Sequence, residues 1–342
     1  MNLRYCTTLF CASLGLLILP GYATAEGHPW LDIPGSKGPG AGKTIVLVSG
    51  DEEYRSEEGL PQLGRILAQR HGFHCIVLFA VDPATGTVAP NVNDNIPGLE
   101  HLQKADLLII QTRWRNLPDS QMKYVAEYAE SGKPVIGLRT STHAFNLKGS
   151  AYQKYSWDSK EPGYDGGFGR QILGETWVAH HGNHGVEGTK ALTAPGAESN
   201  VLLTGIPSGS IHVTTDVYKV RLPLPEPVQP LLLGQVLQTL SPDAPPVTTD
   251  KNSPMMPVAW TRAYKTASGR TARVFASTMC AAVDLKEAGI RRLLVNAVYW
   301  SVGLEKRIKP SLNVDSVEPF NPSTFSFRNN DAWKPGRLPE QY

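Results

Sequence analysis

The chain has few cysteines and no long apolar segment, and each of these two features excludes a class of protein. Only four of its 342 residues are cysteine, and two of these, Cys75 and Cys280, lie beyond the first 25 residues. Two cysteines in so long a chain exclude a disulfide-based scaffold. Both lie in apolar, strand-like runs, where a small buried thiol is usual. The early apolar run at 9–19 is too short to span a bilayer.

The chain also lacks an excess of charge of either sign. It has 33 basic and 31 acidic side chains, so the sequence carries no electrostatic signature of nucleic-acid or membrane binding. A glycine-rich stretch at 38–44 is similar to a phosphate loop, but position 37 is Lys37 where that motif needs glycine, and a strand follows where a helix should. We therefore expect a small-molecule ligand and predict no cofactor. Nothing in the sequence specifies an oligomeric partner.

The first 25 residues have the pattern of a secretory signal. Arg4 supplies the positive charge, an apolar run follows, and Ala23 and Ala25 form a small-x-small cleavage site before Glu26. We expect cleavage after Ala25 and a secreted or periplasmic protein with no membrane attachment. Beyond it we predict a Pro/Gly-rich linker at 26–42, one α/β domain at 43–308 and an extended, Pro-rich tail at 309–342.

The predicted domain begins with strands and helices in alternation. Apolar runs typical of buried parallel strands are separated by helical patterns at 60–72, 99–104 and 118–131. This alternation predicts a parallel sheet with helices on both faces. Further strands are predicted at 211–220, 231–237, 258–264 and 272–277, and a closing helix at 285–302. The four leading strands are predicted at 44–49, 73–79, 106–111 and 134–138.

Polar side chains follow three of these strands where each strand ends. Asp51 and Glu52 follow the first, Arg113 the third, and Arg139 and His143 the fourth. Ligands of open α/β sheets bind at the carboxyl ends of the strands, although capped helix starts would also place polar residues there. We predict a mixed-charge crevice that suits a polyol, sugar or carboxylated molecule.

Three aromatic residues are candidates for stacking on a sugar face. They are Trp157, Trp177 and Tyr164, although core packing is the commoner use of these residue types.

A histidine cluster, His180, His181 and His184, lies in a glycine-flanked stretch. Imidazoles bind Zn²⁺ and similar ions, but adjacent residues on a strand point to opposite faces. A crevice role for His181 or His184 is therefore favoured over a divalent-metal site formed by all three.

Four segments together resemble the ThuA-like (trehalose-utilisation) family of the class I glutamine-amidotransferase-like superfamily, in its secreted planctomycete-type branch. The segments are 45–58, 134–145, 173–184 and 272–303. The resemblance implies a flavodoxin-like α/β fold and a link to trehalose and keto-sugar metabolism. Amidotransferases of this superfamily have a nucleophilic cysteine after the fourth strand, where this chain has Arg139. A glycine–histidine pair common in ThuA-like proteins is replaced by Cys280-Ala281.

We therefore expect an exported protein that binds or acts on a carbohydrate-derived small molecule and is not a glutamine amidotransferase. If it is an enzyme, a hydrolase or isomerase of sugar derivatives, the expected catalytic residues are Glu52, His143 and His181. The expected substrate-binding residues are Asp51, Arg113, Arg139 and His184. A noncatalytic sugar-binding or scaffolding module and a metal-dependent hydrolase remain the alternatives.

Overall fold

The computed structural model describes residues 28–342, so the predicted signal peptide lies outside the described residues. The described chain is a mixed α/β protein with three α-helices, several short helical turns and one large sheet. The helices are α1 (Ser56–His71), α2 (Asp119–Glu130) and α3 (Ala288–Ser301). The strands are β1 (Trp30–Ile33), β2 (Thr44–Gly50), β3 (His74–Phe79), β4 (Leu107–Thr112), β5 (Val135–Leu138), β6 (Ala179–His180), β7 (Thr189–Thr193), β8 (Ile211–Val213), β9 (Tyr218–Lys219), β10 (Gln229–Val236), β11 (Met256–Lys265) and β12 (Thr271–Ser277).

Five parallel strands form the centre of the sheet, in the order β3-β2-β4-β5-β12. Four of these are the leading strands predicted from the sequence, and those predictions are confirmed to within two residues at each end. Their side chains are almost fully buried on both sides, which is why each strand is a continuous apolar run and not an alternating one. α1 packs against β2 and β3, and α3 packs against β5 and β12.

The sheet extends beyond this parallel centre by antiparallel pairing on both sides. β11, β10, β7 and β8 continue it from β12, and β1 pairs with β3 at the other edge, which gives ten strands among the described residues. The sequence predicts a parallel sheet alone and predicts neither β1 nor β7. The predicted linker at 26–42 therefore contains an edge strand. The predicted strand 211–220 is in fact β8 and β9, which lie in different sheets.

One large apolar core runs through the described chain, from Ile33 to Val314, and a second, small cluster consists of Tyr54, Tyr218 and Ala281. Residues 309–342 lie over α1: the backbone N–H of Ser323 donates to Glu58 at 2.6 Å, and Tyr342 packs on Phe79 with ring centroids 5.3 Å apart. Nowhere in residues 28–342 is there a helix with both the length and the apolar character needed to cross a membrane.

Candidate functional site

The candidate site lies where the strand order reverses. β3 lies on one side of β2 and β4 on the other, and such a switch point leaves a crevice at the carboxyl ends of the strands. Glu52 and Glu53 follow β2, and Arg113 and Trp114 follow β4. The predicted crevice therefore falls at the topological position where α/β proteins bind ligands.

Arg139 occupies a strained turn directly after β5. Its φ of 43° lies in the left-handed region, which a side chain other than glycine adopts at a cost. The side chain is completely buried and donates from Nη2 to Asp216 Oδ1 at 2.8 Å and to the Tyr54 hydroxyl at 3.0 Å. Its guanidinium lies 3.6 Å from the centre of the Tyr218 ring. Arg139, predicted to bind substrate, therefore positions Asp216 and does not itself reach solvent.

Asp216 is the centre of the polar network, and it is not among the site residues that the sequence predicts. Its Oδ2 accepts from His180 Nδ1 at 2.7 Å, and its Oδ1 lies 3.0 Å from His184 Nδ1. Burial by itself would raise the pKa of Asp216, but Arg139 and the two imidazoles outweigh it and hold the pKa below its ordinary value. The buried carboxylate is therefore ionised and fixes the orientation of both rings.

His184 links this carboxylate to a second one. Its Nε2 lies 3.2 Å from Glu53 Oε1, and its pKa is raised chiefly by the hydrogen bond to Asp216. The pKa of Glu53 is raised by burial and by Asp51. Since Glu53 Oε2 also lies 3.6 Å from Arg113 Nε, a continuous set of contacts joins Arg113 to Arg139. The predicted convergence of these two arginines on one region agrees with this geometry.

Two of the predicted acidic residues have partners that suit a structural role. Glu52 forms ion pairs with Arg113 and Arg115, so two guanidinium groups hold its carboxylate in place. Asp51 is completely buried, and its Oδ1 accepts from the backbone N–H groups of Glu53 and Tyr54 at 2.7 and 2.9 Å. Asp51 therefore shapes the turn after β2 and does not face a ligand.

His143 lies in the wall of the site. It is buried, and its ring centroid lies 5.1 Å from Trp114 and 5.0 Å from Trp177. Burial, with the positive charges of Arg113 and Arg139, lowers its pKa well below the ordinary value. The ring is thus neutral at physiological pH.

His181 does not join the cluster. Its Nε2 lies 2.7 Å from the carbonyl oxygen of Lys251, on the side opposite His180, because successive side chains alternate along an extended chain. The predicted catalytic role of His181 does not fit this position. Tyr164, a predicted stacking residue, also lies elsewhere, where its hydroxyl bonds Glu130 at 3.0 Å.

Aromatic rings surround the imidazoles. Trp114, Trp157 and Trp177 lie in mutual contact with centroids 5.9 to 6.3 Å apart. The tail supplies Phe325, 5.3 Å from His184, and Phe327, 4.7 Å from the Arg113 guanidinium. Since Phe327 is 58% exposed, it lies at the rim. Of these aromatic residues, the sequence predicts Trp157 and Trp177 as stacking residues, and it predicts none from the tail.

A polar cleft of about 350 Å³ lies beside this aromatic wall. Its lining includes three carboxamide side chains and the side chains of Glu52, Arg113 and Trp114. The carboxamides are those of Asn91, Asn93 and Asn146. Stacking surfaces beside hydrogen-bonding amides and charges are the features by which proteins hold polyhydroxylated molecules.

Neither thiol of the described chain lies in the crevice. Cys75 is buried in β3, and Cys280 is buried after β12. Burial raises the pKa of each, so both are protonated at neutral pH and are poor nucleophiles.

Comparison with known proteins finds similarity of fold. No protein-family model matches the chain, and no curated protein matches it. Among solved structures, a protein of Bacteroides uniformis described as ThuA-like is 14% identical, with a TM-score of 0.50 over 82% of this chain and 99% of that one. A protein of Parabacteroides merdae with the same description is also 14% identical, with a TM-score of 0.48 over 84% and 97% of the two chains. The fold of the present chain is therefore similar to that of the B. uniformis ThuA-like protein.

Proposed function

We propose that this protein acts on a carbohydrate-derived small molecule by proton transfer in the crevice at the carboxyl ends of β2, β4 and β5. The decisive observation is the pair of His180 and Asp216, whose Nδ1 and Oδ2 atoms lie 2.7 Å apart. A buried carboxylate that holds one imidazole nitrogen orients the ring and leaves the other nitrogen to take or give a proton. Within residues 28–342, His180 Nε2 has no hydrogen-bond partner, and the side chain is 37% exposed.

The surroundings of this pair favour a sugar as ligand. The tryptophans Trp114, Trp157 and Trp177 offer faces on which a sugar ring stacks. The adjacent cleft adds amide groups and the guanidinium of Arg113, which donates hydrogen bonds to hydroxyl or carbonyl oxygens. Hydrolysis or isomerisation of a sugar derivative is the reaction class that a positioned imidazole can catalyse here.

Family membership is part of the same proposal. We assign the chain to the ThuA-like family of the class I glutamine-amidotransferase-like superfamily, in its secreted planctomycete-type branch, with a role in trehalose or keto-sugar metabolism. The order β3-β2-β4-β5-β12 supports a flavodoxin-like framework, since numbering these five strands along the chain gives the order 2-1-3-4-5. Glutamine hydrolysis is not part of the proposal because Arg139 stands at the nucleophile position.

Export completes the proposal. The pattern of residues 1–25, which is typical of a secretory signal, supports delivery to the periplasm or the medium. Mass spectrometry of the protein recovered from either compartment should give a chain that begins at Glu26; a retained first segment would contradict this.

A ligand screen followed by a turnover assay tests the function. The mature protein should be stabilised in a thermal-shift screen by members of a panel of mono- and disaccharides and their keto derivatives, and NMR should then detect conversion. His180→Ala should lower turnover by about 100-fold or more. His181→Ala is the matched control, because the neighbouring imidazole faces Lys251, and Cys280→Ala is a second one; both should leave turnover unchanged.

The outcomes separate the candidate functions. Equal losses in His180→Ala and His181→Ala would contradict the catalytic assignment. Binding with no turnover would instead support a noncatalytic sugar-binding module, a function that the replacement of the nucleophile by the buried Arg139 favours. Absence of any stabilising sugar would contradict both.

A further inference from the structure

We infer that His180, His184 and Asp216 bind a divalent transition-metal cation of the zinc class. Each of the three side chains offers one ligand atom, and these atoms all lie within 4.8 Å of one another. Two imidazoles and one carboxylate are a donor set that suits Zn²⁺ and related ions, at ligand distances of about 2.0 to 2.2 Å. The third ligand is Asp216 and not His181, so the site differs from the three-histidine cluster that the sequence indicates.

The layer of residues around the three ligands is built as in a metal centre. Metal-binding imidazoles usually give their second nitrogen to a carboxylate, and His184 has this arrangement, with Nε2 3.2 Å from Glu53 Oε1. Asp216 is oriented from behind by Arg139 at 2.8 Å. The positive charge of Arg139 weakens the carboxylate as a ligand, whereas the carboxylate of Glu53 strengthens the imidazole of His184.

The backbone brings the two histidines over Asp216 at a glycine. An added Cβ at Gly182 would lie 3.1 Å from Asp216 Cβ and 3.3 Å from the backbone nitrogen of Val217. A side chain at this position would therefore push the loop away from the carboxylate. Since His180 and His184 lie on either side of Gly182, this close approach sets the spacing of all three ligands.

The exposure of the ligands leaves an open position at the site. Asp216 is buried, but the side chains of His180 and His184 are 37% and 35% exposed. Three protein ligands with one side open to a crevice are typical of a catalytic metal site, whereas structural sites are closed by a fourth ligand. In its catalytic consequence this inference rests on the proposed function: a cation bound here would take the place of the proton between His180 and Asp216, and water activated by the cation would then carry the proton transfer proposed for His180. Cation binding itself does not depend on the sugar.

Calorimetric titration of the chelator-stripped mature protein with ZnCl₂ tests the site. We expect one equivalent of Zn²⁺ per chain, and no binding of CaCl₂, because Ca²⁺ prefers six to eight oxygen ligands. His180→Ala and His184→Ala should weaken zinc binding by about 100-fold or more, and Glu53→Gln by about 10- to 100-fold. His181→Ala should bind zinc as the unchanged protein does.

The side chain of His180 is 37% exposed, so circular dichroism should show a native fold in His180→Ala and keep the result interpretable. A folded wild-type protein without stoichiometric zinc, or an equal loss in His181→Ala, overturns the site. Turnover of a sugar that persists after removal of metal overturns the catalytic role of the cation and leaves the proposed function standing. Zinc binding with the expected variant pattern supports the site even if no sugar binds, a result that contradicts the proposed function alone.

Discussion

At the scale of single residues, Arg139 combines a strained backbone with a buried charge. It has the left-handed φ of a strained turn after a strand, the kind of turn that presents the nucleophile in α/β-hydrolases. Here the side chain turns inward, and its Nη1 also donates to the carbonyl oxygens of Asp216 and Thr278. The strained turn therefore lies where it directs Arg139 into a buried ion pair.

Replacement of Arg139 should mainly cost stability. Arg139→Met leaves the carboxylate of Asp216 buried without its charge partner, and such a loss costs about 3–5 kcal/mol of the free energy of unfolding. Urea denaturation monitored by fluorescence measures it. The control is Lys160→Met, which breaks an exposed pair with Asp165 and should change stability by about 1 kcal/mol or less. Equal effects of the two substitutions would show that the Arg139–Asp216 pair is not a significant source of stability.

At the scale of elements, the C-terminal tail and α1 border an open pocket of about 500 Å³ with a buried carboxyl group in its wall. Glu57 lies in the first turn of α1, 3.5 Å from Arg55 Nη1, and accepts a hydrogen bond from Trp333 of the tail at 3.3 Å. Burial raises the pKa of Glu57 to about 7, although Arg55 opposes the shift. The contact between tail and helix is therefore sensitive to pH near neutrality.

The pH dependence of stability follows from this shift. The unfolded-state pKa of glutamate is about 4.3, below the folded-state value of about 7. Between these two pH values Glu57 is therefore protonated in the folded state and ionised in the unfolded state. The resulting stability is fully present below pH of about 4.3 and is lost as pH rises through about 7, a loss of up to about 4 kcal/mol. Thermal melts at pH 5 and pH 8 should show this fall in the wild type. In Glu57→Gln the fall should be smaller, and an unchanged fall would assign it to other groups.

At the scale of the whole molecule, the sheet joins the parallel centre and the antiparallel extension without interruption. β12 pairs with β5 in parallel and with β11 antiparallel, and one apolar core runs beneath both parts. The tail crosses back to the opposite edge, where the last helical turn contacts β1. A domain usually has a hydrophobic core of its own, and neither part of this sheet has a separate one.

Unfolding of the mature protein should therefore be a single cooperative event. We expect one transition in differential scanning calorimetry, because separation of β11 from β12 would expose apolar surface of the shared core. The circular-dichroism and tryptophan-fluorescence midpoints should coincide with it. Two resolved transitions would show that the antiparallel extension is a separate unit.

The sequence alone determined the parallel centre and the approximate position of the crevice. Buried parallel strands are continuous apolar runs, so a local pattern is enough to locate β2, β3, β4 and β5. Because the carboxyl ends of parallel strands share one edge, the polar residues after them converge, and Arg113 and His143 do lie in this region.

Only the tertiary structure decided which side chains form the site. Asp216 lies between two short strands that the sequence presents as one, so a single carboxylate within a predicted strand was the sole local signal. Phe325 and Phe327 arrive from a tail more than 270 residues after Glu52 in the chain. His180 and His181 are equivalent in sequence, but pairing of β6 with β9 directs one to Asp216 and the other to Lys251. Long-range pairing fixes these directions, and no local pattern encodes it.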